Sequence, residues 1–182
     1  LLERLWTDRP AIPSTPVTTL DVECFGGISR RDKITWLRKW MMLEDRDAIL
    51  LTSLDEIAWL LNVRGNDIEY NPLVISYLLV TQDYVRWFVE KPGLVDLDEE
   101  ETSASFVELR SDGVETMAYD EIYAGLSDQR DGTFGGTVFI DPSTLNSHLY
   151  GFIKDSFGPD CVVCGTSPVI LQKAIKTQSE IE

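Results

Sequence analysis

One histidine in 182 residues, His148, limits the chemistry this chain can host. Serine and cysteine hydrolases need a nucleophile, a base and a group that orients the base. With one imidazole and no nucleophile-elbow glycine pattern, the sequence holds no such triad. His148 reads as a solvent-facing or cap-region residue on the helix expected around it. Cysteine is scarce too: Cys24, Cys161 and Cys164. An odd count without a basic-then-apolar leader argues for reduced thiols and against a disulfide framework. Cys161 and Cys164 have CxxC spacing, but valines fill the gap and Gly165 and Pro168 come soon after. That composition favours a short strand over the helix start on which redox pairs depend. Zinc would need a second pair, for which Cys24 and His148 are a poor substitute.

Long apolar runs are missing as well, since none approaches the ~20 residues of a membrane-spanning helix. Positive charge is short: 16 Lys and Arg against 31 Asp and Glu leave a net charge of −15. Such a surface repels phosphate backbones and argues against nucleic-acid binding through a basic face. Neither a P-loop nor a dinucleotide fingerprint occurs. Carboxylates are abundant, but nothing in their spacing singles out an acid–base pair. The first residue is Leu1 and not Met, which reads as a piece of a longer protein.

What remains is a soluble globular composition, 43% hydrophobic and 26% charged. Pro10, Pro13 and Pro16 favour extended backbone and mark residues 1–22 as a connector. From Asp32 the spacing of Ile34, Leu37 and Met41, with Trp36, Trp40 and Leu43 beside them, predicts a helix with a broad buried face. Ala48–Thr52 reads as a doubly buried strand. Ser53 and Glu56 form a capping-box pattern that opens a helix ending before Gly65. Leu73–Val80 and Tyr84–Val89 read as a hairpin turning at Gln82-Asp83, and Asp96–Glu101 as a solvated acidic loop. Further on, the pattern predicts a strand over Phe106–Leu109, a short helix over Tyr119–Leu126 and a strand over Thr137–Ile140. A helix from Asp141 to about Phe157, a strand over Cys161–Cys164 and a new helix from Lys173 complete it. The glycine-rich run Asp131–Gly136 precedes a strand, so it is wrongly placed to cradle phosphate. Alternating strands and helices with one hairpin predict an α/β fold: a mixed sheet with helices on both faces.

The stretch Leu54-Asp55-Glu56-Ile57-Ala58-Trp59-Leu60-Leu61-Asn62-Val63-Arg64-Gly65-Asn66-Asp67-Ile68-Glu69-Tyr70-Asn71-Pro72, continued by Ser76-Tyr77, resembles the signature of the second domain of three-domain Xaa-Pro aminopeptidases. Trp6–Ser14 is similar to that family's link between first and second domains, and Ser167–Glu182 to its lead into the catalytic domain. The resemblance implies a three-layer α/β/α creatinase/prolidase N-terminal domain with a mixed sheet of ribonuclease-H-like topology. It implies a connector at 1–22 from a missing first domain, a middle domain at 23–170, and at 171–182 the start of the connector into a missing catalytic domain. It implies no catalytic residue, metal ligand or cofactor in this chain. Two manganese ions are expected in the missing catalytic domain, held by two Asp, one His and two Glu. Its partners would be its own first and catalytic domains and, in the full enzyme, a peptide with proline second. Neither nucleic acid nor membrane is expected, and the location implied is cytoplasmic. An uncovered docking face would favour self-association into a homodimer.

The loop bearing Arg64, Asn66, Asp67, Tyr70 and Asn71 is expected to border the substrate entrance. The competing expectation is structural: Gly65 and Pro72 shape a turn that Asn66 and Asp67 cap. At the level of function, the alternative is an acidic, non-catalytic protein-binding module of aminopeptidase-like fold that takes a basic partner, as a histone-chaperone subunit does.

Overall fold

The computed structural model describes residues 8–22, 27–90, 104–127, 136–176 and 181. After an extended stretch comes a short strand, β1 (Thr18–Thr19), and then helix α1 (Arg30–Leu43). Ser29 caps α1 by accepting from the Asp32 amide at 3.1 Å while its hydroxyl donates to the Asp32 carboxylate. Strand β2 (Ala48–Leu51) is buried at every position, as a strand covered on both faces must be. It feeds helix α2 (Leu54–Leu61), which Asn62 ends in the left-handed conformation, and then β3 (Val63–Arg64). The hairpin comes next as β4 (Ser76–Thr81) and β5 (Val85–Val89), paired in register from Ser76 opposite Val89 to Val80 opposite Val85. Helix α3 (Ala104–Ser111), strand β6 (Val114–Ala118), helix α4 (Ile122–Ser127), strand β7 (Val138–Ile140), helix α5 (Ser147–Phe157), strand β8 (Val162–Cys164) and helix α6 (Pro168–Ala174) complete the order.

Six strands form one mixed sheet in the order β6-β5-β4-β2-β7-β8, and β1 pairs separately with β3. The β2–β4 and β4–β5 ladders are antiparallel, and β5–β6, β2–β7 and β7–β8 are parallel. The period-two alternation of the strands divides the core. Ile49, Leu51, Leu78, Val80 and Trp87 meet α1, α2, α3 and α6. Ala48, Leu50, Leu79, Phe88, Val138 and Ile140 meet α4 and α5. The result is the expected three-layer α/β/α architecture.

Several expectations need correction. Phe106 to Leu109 is helical: Phe106 and Leu109 share one buried face three residues apart while Val107 and Glu108 point out, and the strand is Val114–Ala118 instead. The helix expected from Asp141 begins at Ser147, because Asp141–Thr144 forms a turn and Asn146 supplies the cap by accepting from the Leu149 amide. Lys173 does not open a helix; it lies in the last turn of α6. Leu43, expected beside the buried face of α1, is 85% exposed. Asp96–Glu101, Cys24 and residues 131–135 lie outside the described residues.

The expected connector is folded onto the domain between Ser14 and Leu20. Ser14 Oγ donates to the Glu90 carbonyl at 2.6 Å, Val17 is buried, and the Leu20 amide donates to the Asn62 carbonyl at 2.8 Å.

Candidate functional site

The loop between β3 and β4 starts where α2 stops. Helix α2 has no basic residue in its last turn, so its C-terminal carbonyls need donors from elsewhere. Three cations supply them. Arg30 Nε donates to the Leu61 carbonyl at 2.6 Å, and Lys33 Nζ to the Trp59 carbonyl at 2.7 Å and to Asn62 Oδ1 at 2.5 Å. Arg64 Nη1 donates to the Ala58 and Val63 carbonyls at 3.2 and 2.8 Å. Arg30 and Lys33 are both buried on α1, where Arg30 also pairs with Asp112 and Glu108. Lys33 lies 4.2 Å from the centre of the Trp59 ring. Burial alone lowers the pKa of Arg64 from its ordinary value.

Beyond Arg64 the chain turns tightly. A Cβ at Gly65 would sit 2.6 Å from Val74 Cγ2, which explains a glycine there. Asp67 is 7% exposed and ties three segments together. It accepts from the Thr15 amide at 2.8 Å, the Thr15 hydroxyl at 2.6 Å and the Ile75 amide at 2.9 Å. The Asn66 amide donates in turn to the Thr15 hydroxyl at 2.8 Å. Ile68 and Asn71 form an isolated antiparallel bridge that closes the loop tip. Between them Tyr70 is 97% exposed and has φ 63°, a left-handed conformation unusual for an aromatic residue. Of the five residues expected to line an entrance, Arg64 and Asp67 are therefore engaged inward, and Asn66, Tyr70 and Asn71 are exposed.

A second polar cluster lies at the other end of α2, and the sequence pattern did not reveal it. Ser53 precedes the helix without a side-chain cap, and its hydroxyl donates to Asp55. Glu56, expected to complete a capping box, is 1% exposed and instead accepts from the hydroxyl of Ser167, across from α6. Burial raises the Glu56 pKa from its ordinary value, Asp55 and Asp141 add to the rise, and Ser167 and Lys173 oppose it. Asp141, at the end of β7, accepts from the Ser167 amide at 3.0 Å, and Lys173 pairs with Asp55. Burial raises the Asp141 pKa, but hydrogen bonds from Ser143 and Ser167 outweigh it and leave a net fall. The one signal in sequence is spacing, since Glu56 sits four residues before Leu60 on the apolar face of α2.

Outside these clusters, His148 is exposed and meets Tyr123 edge-on at 5.5 Å. Cys161 is half-buried and Cys164 exposed, and both are free thiols. Cys161 closes a 3₁₀ turn, so the strand starts one residue later than expected. Among the described residues, no three of His, Cys, Asp and Glu come together to hold a metal ion. A di-nuclear centre does not fit the residues described. No described helix is long and apolar enough to cross a membrane.

The family model described as creatinase/prolidase N-terminal domain matches residues 8–180. A probable Xaa-Pro aminopeptidase P of Laccaria bicolor is 36% identical over 100% of this chain and 27% of that protein. The Xaa-Pro aminopeptidase app-1 of Caenorhabditis elegans is 32% identical over 100% of this chain and 28% of that protein. The crystal structure of an X-prolyl aminopeptidase from Caenorhabditis elegans superposes with a TM-score of 0.81 at 32% identity, covering 99% of this chain and 28% of that one. That protein is described as a cytosolic enzyme with a di-nuclear active site. A Xaa-Pro dipeptidase from Bacillus anthracis shares the fold at a TM-score of 0.56 and 20% identity, over 84% of this chain and 38% of that one. The chain thus spans little more than a quarter of the Laccaria and Caenorhabditis relatives. None of these relatives supports the histone-chaperone alternative. With its α/β/α layers and a family match over nearly all its length, this chain belongs to the creatinase/prolidase N-terminal domain family.

Proposed function

We propose that this chain is the middle domain of a metal-dependent Xaa-Pro aminopeptidase, an enzyme that removes the N-terminal residue from peptides with proline second. The observation that carries this is the whole-length match, at 32 and 36% identity, to about a quarter of two such enzymes. Within that enzyme, residues 1–22 lead in from a first domain, 23–170 form the middle domain and 171–182 begin the path to a catalytic domain. The catalytic domain would supply two metal ions, manganese in this proposal, and a bound metal pair would supply an activated water. The location proposed is the cytoplasm.

This domain contributes no reacting group in the proposal. Its part is to pack on the catalytic domain and narrow the entrance, with the β3–β4 loop as the rim. Tyr70 supports that role. An exposed aromatic ring in a left-handed conformation costs about 1–3 kcal/mol of backbone strain and makes no compensating burial. Asn66 and Asn71 flank it as exposed polar groups, and Arg64 and Asp67 brace the loop from within.

The test uses the full-length protein. Cleavage of peptides with proline second but not with alanine second, lost on chelation and restored by manganese, is the expected result. Failure to cleave either would reject the enzyme. Tyr70→Gly should relieve strain and stabilise the protein slightly while lowering kcat/KM for long peptides more than for short ones. Unchanged kinetics with raised stability would leave the loop a structural turn.

A further inference from the structure

Helix α6 has seven residues, too few to be stable by itself in water. Only Pro168 and Val169 of the seven are buried, and Ile170, Leu171 and Ala174 are exposed. Its hold on the sheet therefore depends on the polar contacts around it. The Ser167 hydroxyl accepts from the Val169 amide at 3.3 Å and donates to the Glu56 carboxylate. The Ser167 amide donates to Asp141 at 3.0 Å, and Lys173 Nζ donates to Asp55.

Glu56 lies beneath this helix start and is 1% exposed. The charged groups that face it are Asp55 on its own helix, Asp141 at the end of β7 and Lys173 on α6. Arg30 and Lys33 of α1 and Arg64 of β3 are turned to carbonyls of residues 58 to 63. Three carboxylates thus share one ammonium, and that ammonium is paired with Asp55. A charge on Glu56 has neither water nor a cation of its own while α6 is in place, so it is disfavoured there.

We infer that Glu56, Ser167 and Asp141 form a pH-sensitive latch that holds α6 on the sheet while Glu56 is protonated and loosens it as Glu56 ionises. Lifting α6 takes Ser167 away from Glu56 and admits water to the carboxyl group. In the lifted state Glu56 titrates in the ordinary glutamate range, and in the closed state burial raises its pKa. Between those two values the lifted state binds fewer protons, so rising pH favours it. Opening should increase by up to about tenfold per pH unit over that span. It levels off once Glu56 is ionised in the closed state too. Asp55 and Asp141, where hydrogen bonds outweigh burial, have lowered pKa values in the closed state. Above the aspartate range both are ionised whether α6 is down or up, so neither adds to the slope. The latch lies wholly within this chain and does not depend on the peptidase reading.

The test is amide exchange of the full-length protein, read by mass spectrometry on peptides covering α6 and β4, from the ordinary glutamate range upward in pH. Dividing by the intrinsic exchange rate at each pH gives an opening constant for each element. Strand β4 lies in the middle of the sheet and reports unfolding of the whole domain. The expected result is an α6 opening constant at least about tenfold above that of β4, climbing by up to about tenfold per pH unit. An α6 constant that does not change with pH would overturn the latch. So would equal constants for α6 and β4 at every pH, because Glu56 would then be uncovered only by global unfolding. Glu56→Gln keeps an acceptor for Ser167 and cannot ionise, so its α6 constant should be level with pH. A slope that survives in Glu56→Gln would assign the titration to another group and overturn the latch equally. Should that variant fail to fold, the two wild-type profiles decide.

Discussion

Asp67 carries more of this molecule's order than its place in an exposed loop suggests. Its carboxylate holds the Thr15 amide and hydroxyl and the Ile75 amide, joining the N-terminal stretch to the entry of β4. Asp67→Ala would strand those donors, and about 1–3 kcal/mol of stability should be lost, read as a lower urea midpoint. Asp67→Asn keeps one acceptor and should lose less; equal losses would show that the negative charge matters beyond the hydrogen bonds. Glu56 makes a different prediction. Burial raises its pKa in the folded state, so folding favours the protonated form. The stability this contributes is full below the ordinary glutamate range and drains as pH rises through the raised pKa. Asp55 and Asp141 run the other way: burial raises each pKa, hydrogen bonds outweigh it, and the net fall adds stability above the aspartate range that is lost on acidification. Glu56→Gln keeps an acceptor for Ser167 and removes the charge. As pH rises above the ordinary glutamate range, therefore, the variant's urea midpoint should fall less than that of the wild type. Parallel profiles would mean that Glu56 is solvated enough to ionise freely.

At the scale of elements, α2 is the short helix on which the candidate site depends. At 8 residues it is about 12 Å long and marginal by itself. Its apolar face, Ile57, Leu60 and Leu61, was legible from spacing, as was its end before Gly65. The clamp on its C-terminus was not, because Arg30 and Lys33 lie on another helix, about thirty residues earlier. The hint was there in α1, where Lys33 sits four residues before Leu37 on the buried stripe. Lys33→Met leaves the Trp59 carbonyl and the Asn62 amide oxygen short of a donor and should cost about 1–3 kcal/mol. Amide exchange in α2 should rise ahead of exchange in β4, and a uniform rise would argue against a local clamp. The misassigned strand at Phe106–Leu109 has a simpler cause. Four residues of mixed polarity fit either period, and the buried Phe106 and Leu109 make sense only once the sheet provides a helix-sized surface.

For the whole molecule, the sheet's two covered faces decide how substitutions are felt. Gly125 on α4 packs so closely on Phe88 that an added Cβ would lie 2.6 Å from Phe88 Cζ. Gly125→Ala should cost about 1–3 kcal/mol by overpacking, measured as a lower thermal midpoint, and an unchanged midpoint would mean that α4 shifts freely on the sheet. The asymmetry of the layers matters more for function. Helices α1, α2, α3 and α6 crowd one face, which carries the Glu56 cluster and the arginine–lysine clamp. The opposite layer, α4 and α5, holds the aromatic cluster around Tyr123.

The sequence by itself determined the α/β class, the hairpin, the buried central strand and the family signature at Leu54–Pro72. These depend on local period and turn chemistry, and both are written within a few residues. Tertiary structure alone decided that Asp67 faces inward while Tyr70 faces out, and that Glu56 serves α6 and not its own helix. The bond from Thr15 to Asp67 joins residues 52 positions apart, and the bond from Ser167 to Glu56 joins residues 111 apart. Spacing along a chain carries no record of which distant donor, acceptor or methyl group will arrive to complete the contact.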